Sequence, residues 1–168
     1  MRNLKGGRLV LFRGQLGLLP LNHVVEAFQR FSSEYPDVKV SIWVGTDSQN
    51  HGTSTRVVTS VTAYRKCKGA QSYQYIHNLN RLLPLGEKLE YETHMSIEII
   101  GQLRKILNEQ MLCYELELHI DGGQKGKSRH HLQRVVGWAE SMASIYNYSI
   151  RTKPLAFGAS QVADRYAK

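Results

Sequence analysis

The segment Val38-Lys39-Val40-Ser41-Ile42-Trp43-Val44-Gly45-Thr46-Asp47-Ser48-Gln49 constrains this chain more than any other. Val38, Val40, Ile42 and Val44 alternate on one side with Trp43 on the other, the two-residue period of a half-buried or central strand. That strand runs directly into Gly45-Thr46-Asp47-Ser48, which leaves a carboxylate at the exit of a buried element. Aspartate is depleted in strands, so its presence calls for a compensating partner: a metal ion, a cationic side chain or a turn. A turn-forming Asp is the plain alternative, and the rest of the chain has to decide.

At 168 residues the chain is one domain, long enough to bury a core. No apolar run approaches the roughly 18 residues needed to cross a bilayer. The Leu9-Val10-Leu11-Phe12 run is cut short by Arg13, with no small-residue cleavage site after it, so it is not read as a signal peptide. Cys67 and Cys113 make no disulfide framework, which suits a reducing cytoplasm. The expectation is therefore a cytoplasmic protein without membrane contact. A net charge of +8 and a pI near 9.6 favour a polyanionic partner, nucleic acid being the commonest.

Residues 1–19 form a basic, Gly-containing lead with little periodicity, read as flexible or irregular. Val24, Val25, Phe28 and Phe31 predict a helix over 20–35, with Asn22 as its cap and Pro36 as its stop. The core then spans 38–168. After the opening strand, Arg56–Tyr64 and Ser72–Leu79 read as two more strands, and the short breaks between the three imply an antiparallel meander. A long helix follows from about Gly86 to Asn108, with Leu89, Ser96, Ile99, Ile100, Leu103, Ile106 and Leu107 on one side.

Glu92 lies three residues after Leu89 and seven before Ile99, inside that apolar arc, whereas Glu98 lies nearly opposite and is expected in solvent. A carboxylate on an inward helix face is costly unless paired or metal-bound; the alternative is a side chain snorkelling from the edge of the arc. Cys113–Asp121 alternates as a fourth strand and again ends in Asp, followed by Gly122-Gly123. The helix between strands three and four makes a parallel crossover, hence a mixed sheet. Ser128 caps a helix to about Ser144, Tyr148–Arg151 is a fifth strand, and Ser160 opens a terminal helix that carries Asp164.

The order strand, strand, strand, helix, strand, helix, strand, helix thus sets out four acids: Asp47, Glu92, Asp121 and Asp164. If strands one and four are adjacent and parallel, both strand-end Asp residues leave the same edge of the sheet, where open α/β sheets place ligands. Clustered carboxylates repel unless cations neutralise them, and hard cations such as Mg²⁺ and Mn²⁺ prefer oxygen. Two such ions can hold both the attacking water and the leaving oxygen of a phosphodiester.

With these acids in this order the chain resembles the ribonuclease H fold: a mixed five-stranded α/β sheet (βββαβαβα) flanked by helices, with an extra N-terminal helix. The segments IWVGTDSQ (42–49), EKLEYET (87–93), HIDGG (119–123) and KPLAFGASQVADRYAK (153–168) resemble more closely still the YkuK-like group of predicted bacterial nucleases with that fold. The resemblance implies metal-dependent phosphodiester hydrolysis, with Asp47, Glu92, Asp121 and Asp164 as the catalytic, metal-binding carboxylates. Glu90 and Glu98 are the alternative candidates on the long helix; the face argument prefers Glu92. The expected scheme has Asp47 bridging two Mg²⁺ or Mn²⁺ ions, Glu92 and Asp121 on one and Asp164 on the other. Ser48, Gln49, Lys127 and Arg129 are the candidate substrate contacts, the last two beside a helix N-terminus suited to phosphate. The partner would be RNA, DNA or a hybrid.

Three rivals stand beside this reading. Gly126-Lys127-Ser128 after a strand looks like the end of a P-loop, but the first Gly of that motif falls on Asp121, whose carboxylate repels phosphate. A proofreading-type exonuclease carries an acid two residues after its first Asp, and Gln49 stands there instead. A nucleic-acid-binding module that kept the fold and lost catalysis would be equally basic. The histidines His51, His94, His119, His130 and His131 show no metal-ligand spacing with the cysteines, and Tyr73, Tyr75, Tyr146 and Tyr148 are better read as packing than as base-stacking groups.

Overall fold

The computed structural model describes residues 10–15, 17–122, 129–153, 155–156, 162–163 and 166–167. In chain order its elements are β1 (Leu11–Gly14), β2 (Gly17–Pro20), α1 (Leu21–Ser33), β3 (Val40–His51), β4 (Ser54–Arg65), β5 (Gly69–Leu79), α2 (Leu85–Glu109), β6 (Glu115–Ile120), α3 (Arg129–Tyr146) and β7 (Tyr148–Thr152). The strands form one sheet in the order β2-β1-β5-β4-β3-β6-β7.

β3, β4 and β5 are the antiparallel meander that the short breaks imply, in register from Val40↔Arg65 to His51↔Ser54 and from Thr55↔Leu79 to Arg65↔Gly69. β6 then lies parallel to β3 (Ser41↔Glu115 to Gly45↔His119), and β7 parallel to β6. Parallel neighbours need a crossover, and α2 and α3 supply the two of them. The mixed α/β architecture expected from the sequence is the one found.

Two expectations need correction. The N-terminal lead is not irregular throughout: residues 11–14 and 17–20 pair as an antiparallel hairpin, and β1 docks on β5, so the sheet has seven strands among the described residues rather than five. Its glycines are demands of that hairpin. A Cβ on Gly14 would come within 2.3 Å of the Tyr73 ring, and Gly17 sits at φ +110°, where L side chains are strained. The helix α1 starts at Leu21 after Pro20, with no side-chain capping bond. Asn22 therefore falls inside the first turn instead of capping it, with its Oδ1 buried and without a hydrogen bond.

The core lies between the sheet and the three helices. Val24, Val25 and Phe28 of α1 are buried with Phe12 and Tyr73, and Ile99, Ile100, Leu103 and Leu107 of α2 are buried with Val40, Ile42, Val44, Leu116 and Leu118. The tyrosines take the packing role expected of them: Tyr73 meets Phe28 edge-on at 5.6 Å, and Tyr148 Oη donates to the Ala139 carbonyl at 2.6 Å. On the other side of the sheet Ala163 and Ala167 pack against Val58 and Ile76.

Candidate active site

Along β3 the α2-facing positions change character. Val40, Ile42 and Val44 are buried apolar residues, and the next two on the same face, Thr46 and Ser48, are buried and polar. The helix changes in step with the strand. Moving toward its N-terminus, the inward stripe passes from Leu103, Ile100 and Ile99 to Ser96, Thr93 and Glu92. The two polar ends meet. Thr46 Oγ1 lies 2.9 Å from Thr59 Oγ1 and 2.8 Å from Ser96 Oγ, and Ser48 Oγ donates to Glu92 Oε1 at 2.6 Å.

Glu92 is therefore the inward acid of α2, as the helical-face argument expects, and it does not snorkel: the residue is only 8% exposed. Burial pushes its carboxyl from the ordinary 4.5 up to about 8. The Ser48 hydrogen bond and the Lys88 charge pull it down, while the charges of Asp47 and Asp121 push it further up. At neutral pH the protonated form is favoured, chiefly because burial strips the charged form of water. Glu98 is half-buried on another face of the helix and pairs with His94 at 3.3 Å.

Asp47 sits between Thr46 and Ser48, so the alternation of β3 assigns it to the opposite face, with Trp43 and Gly45. Its cross-strand neighbour on β4 is Val58, which carries Ala163 and Ala167. Asp121 immediately follows β6, whose register with β3 ends at Gly45↔His119. Asp47 does not stand at the strand exit that the sequence implies: β3 runs on to His51, and Asp47 is paired inside it with Val58. It lies two residues past the last parallel pair, Gly45↔His119, and Asp121 lies two residues past His119, so the two acids share the end of that parallel pairing. Both lie within electrostatic reach of Glu92, and Asp121 lines the same narrow cleft, with Thr46, Leu89, Glu92, Thr93, Ser96, His119 and Ile120.

Three features of this cluster escaped the sequence reading. The Asp121 carboxylate is ion-paired with Lys153, one residue past β7, whose register with β6 (Ile120↔Thr152) brings the two side by side. Lys88 Nζ donates to the Ser48 carbonyl at 3.5 Å, which keeps a positive charge beside Glu92. Ser48, expected to touch substrate, is turned inward to orient Glu92, whereas Gln49 is exposed.

Asp164, Gly126, Lys127, Ser128 and Ser160 lie outside the described residues, and Arg129 is described only as the first residue of α3. Two of the histidines stack on indole rings. His119 is buried in a stack with Trp43 at 5.1 Å and bonded to Glu117 at 3.3 Å, and His94 stacks on Trp138 at 5.9 Å. Burial lowers the His119 pKa, against the pull of Glu117.

Does this donor set suit a divalent cation? Its side chains offer carboxylate oxygens only, the preference of Mg²⁺ and Mn²⁺. A buried carboxyl held neutral beside two further carboxylates is a site short of positive charge. In kind, the residues fit. In arrangement they are unfinished, since among the described residues no group of three His, Cys, Asp or Glu side chains is placed to hold a metal ion.

A family model described as Ribonuclease H-like matches residues 23–168. Over 158 residues the chain is 28% identical to "Uncharacterized protein YkuK" of Bacillus subtilis (strain 168), covering 86% of this chain and 89% of that relative. Among solved structures, the N-terminal RNase H domain of rv2228c from Mycobacterium tuberculosis, fused to maltose binding protein, aligns over 78% of this chain and 94% of its own. That alignment has 11% identity and a TM-score of 0.38.

Proposed function

The chain belongs to the ribonuclease H-like family, and on that footing we propose that it is a metal-dependent nuclease hydrolysing the phosphodiester bonds of nucleic acid. The observation that carries the reading is Glu92: a carboxyl buried on α2, oriented by Ser48 and within electrostatic reach of Asp47 on β3 and of Asp121 just past β6, where the parallel pairing of those strands stops. Catalytic sites are where burial and like charges shift a group this far. Asp47, Glu92 and Asp121 would hold the ion or ions, joined by Asp164 in the two-ion scheme. A bound Mg²⁺ or Mn²⁺ supplies Lewis-acid polarisation of the phosphodiester there.

The chain's own residues do the rest. Ser48 fixes one Glu92 oxygen, and Lys88 keeps a positive charge beside it. Leu89 and Ile120 wall the cleft with apolar surface. The excess of positive charge over the whole chain draws a polyanion toward it. Gln49, exposed at the end of β3, remains the candidate substrate contact among the described residues.

A second reading has its own observation. With Lys153 on Asp121 and no three-ligand group among the described residues, the same fold could serve as a nucleic-acid-binding module without catalysis. Cleavage of a labelled panel (RNA–DNA hybrid, single strands, duplexes and a four-way junction) with Mg²⁺ or Mn²⁺, beside Asp47→Asn, separates the two. Metal-dependent cleavage that is lost in the variant supports the nuclease. Binding without cleavage, equal in both proteins, supports the module.

A further inference from the structure

The mechanism above leaves one charged contact without a use. Lys153 and Asp121 are neighbours across two parallel strands, and the ammonium lies on the Asp121 Oδ1 oxygen. Parallel pairing fixes that neighbourhood: with His119↔Arg151 and Ile120↔Thr152 in register, the next pair in line is Asp121 and Lys153. Asp121 is the more enclosed partner, its side chain 22% exposed against 56% for Lys153. The pair sits at the mouth of the cleft that holds Glu92, in a cluster short of positive charge.

We infer that Lys153 is the resident counter-ion of Asp121 and competes with a divalent cation for that carboxylate. The inference rests on the nuclease reading for the identity of the cation, and it adds a device that sets how tightly the cation is held. A carboxylate oxygen that accepts an ammonium has to release it before the same lone pairs coordinate a metal ion. The ammonium is one end of a flexible, half-exposed side chain, so release needs only a rotamer change and no movement of β7. The Asp121 carboxylate of the unloaded site is thereby neutralised without a bound metal ion, and the threshold of cation concentration at which the site loads is raised.

The neighbour Arg151 provides a control. It lies on β7, two residues before Lys153, and it bonds Glu117 at 3.3 Å instead of Asp121. Mn²⁺ binding by isothermal titration calorimetry on the full chain, at one ionic strength, should be tightened roughly fivefold by Lys153→Met, the scale of a partly exposed ion pair. Lys153→Arg keeps a cation on Asp121 and should stay near the parent, and Arg151→Gln should as well. An affinity for Lys153→Met equal to or weaker than the parent's would overturn the inference. So would an equal tightening by Arg151→Gln, which would mean distant charge and no competition. Weaker binding in Asp121→Asn together with an unchanged Lys153→Met removes the Lys153 claim alone and leaves the carboxylate site standing. Absence of Mn²⁺ binding in both the parent and Lys153→Met removes both.

Discussion

The two halves of the contact between α2 and β3 follow opposite rules. Toward the C-terminal end of the helix, Ile99, Ile100, Leu103 and Leu107 meet Val40, Ile42 and Val44 with side chains almost wholly out of water. Toward its N-terminal end, Glu92, Thr93 and Ser96 meet Thr46, Ser48 and Thr59, equally buried and all polar. The first half gains from removing apolar surface from water, on the order of 25 cal/mol per Å². The second gains little, because each hydroxyl exchanges water for a protein partner, and Thr93 Oγ1 has no hydrogen bond at all. One continuous interface therefore holds the fold at one end and a destabilising polar cluster at the other. Such a cluster is retained where chemistry needs it.

The sharpest way to break that comparison is Glu92→Gln. The folded-state pKa of about 8 lies above the ordinary 4.5, so folding favours the protonated carboxyl. Its stabilising share is fully present below 4.5 and is lost as pH rises through about 8. The gap between the two values is worth on the order of 5 kcal/mol. Glutamine stays neutral and still accepts from Ser48. The variant should therefore melt above the parent at pH 9 and with it at pH 4. Equal melting at pH 9 would show that the polar half carries no such cost.

In the apolar half, Leu103→Ala should cost about 3 kcal/mol by denaturant titration, the usual scale for a fully buried leucine. It should leave the pH profile unchanged, since no titrating group of the cluster lies beside it. Thr46→Val should cost about 1 to 2 kcal/mol, because it removes the hydroxyl that joins Thr59 and Ser96 and leaves both buried with one partner fewer. A neutral result there would argue that the hydroxyl chain is incidental. The smallest effect is expected from Ser48→Ala, which removes a bond that lowers the Glu92 pKa. The pH at which stability is lost should move upward in melts followed from pH 6 to 10, with a change in stability below about 1 kcal/mol at neutral pH.

Much of this was legible because the periods are clean. The alternation of Val40, Ile42 and Val44 and the 3.6-residue stripe of α2 identified the central strand, the inward helix and Glu92 on it. The hairpin of β1 and β2 was not, since two four-residue strands offer too little pattern and the need for Gly14 is set by Tyr73, some sixty residues away. Lys153 was hidden for a similar reason: its place beside Asp121 follows from the β6–β7 register, which no local pattern encodes. The parity of Asp47 was visible and overlooked. An odd-numbered residue on β3 shares a face with Trp43, whereas Glu92 meets the even-numbered Ser48, so Asp47 and Glu92 belong to opposite faces of the strand.

If the polar half of the interface is kept for catalysis, Glu92 is the residue whose loss must show it. Cleavage by Glu92→Gln, with Mg²⁺ or Mn²⁺ at pH 8 on whichever nucleic acid the parent cuts, separates chemistry from folding, because the variant is expected to be the more stable protein. The expected result is a folded protein that binds the nucleic acid and does not cut it. Cleavage at the parental rate would contradict it, and would leave Glu92 as a buried acid without a role in the reaction.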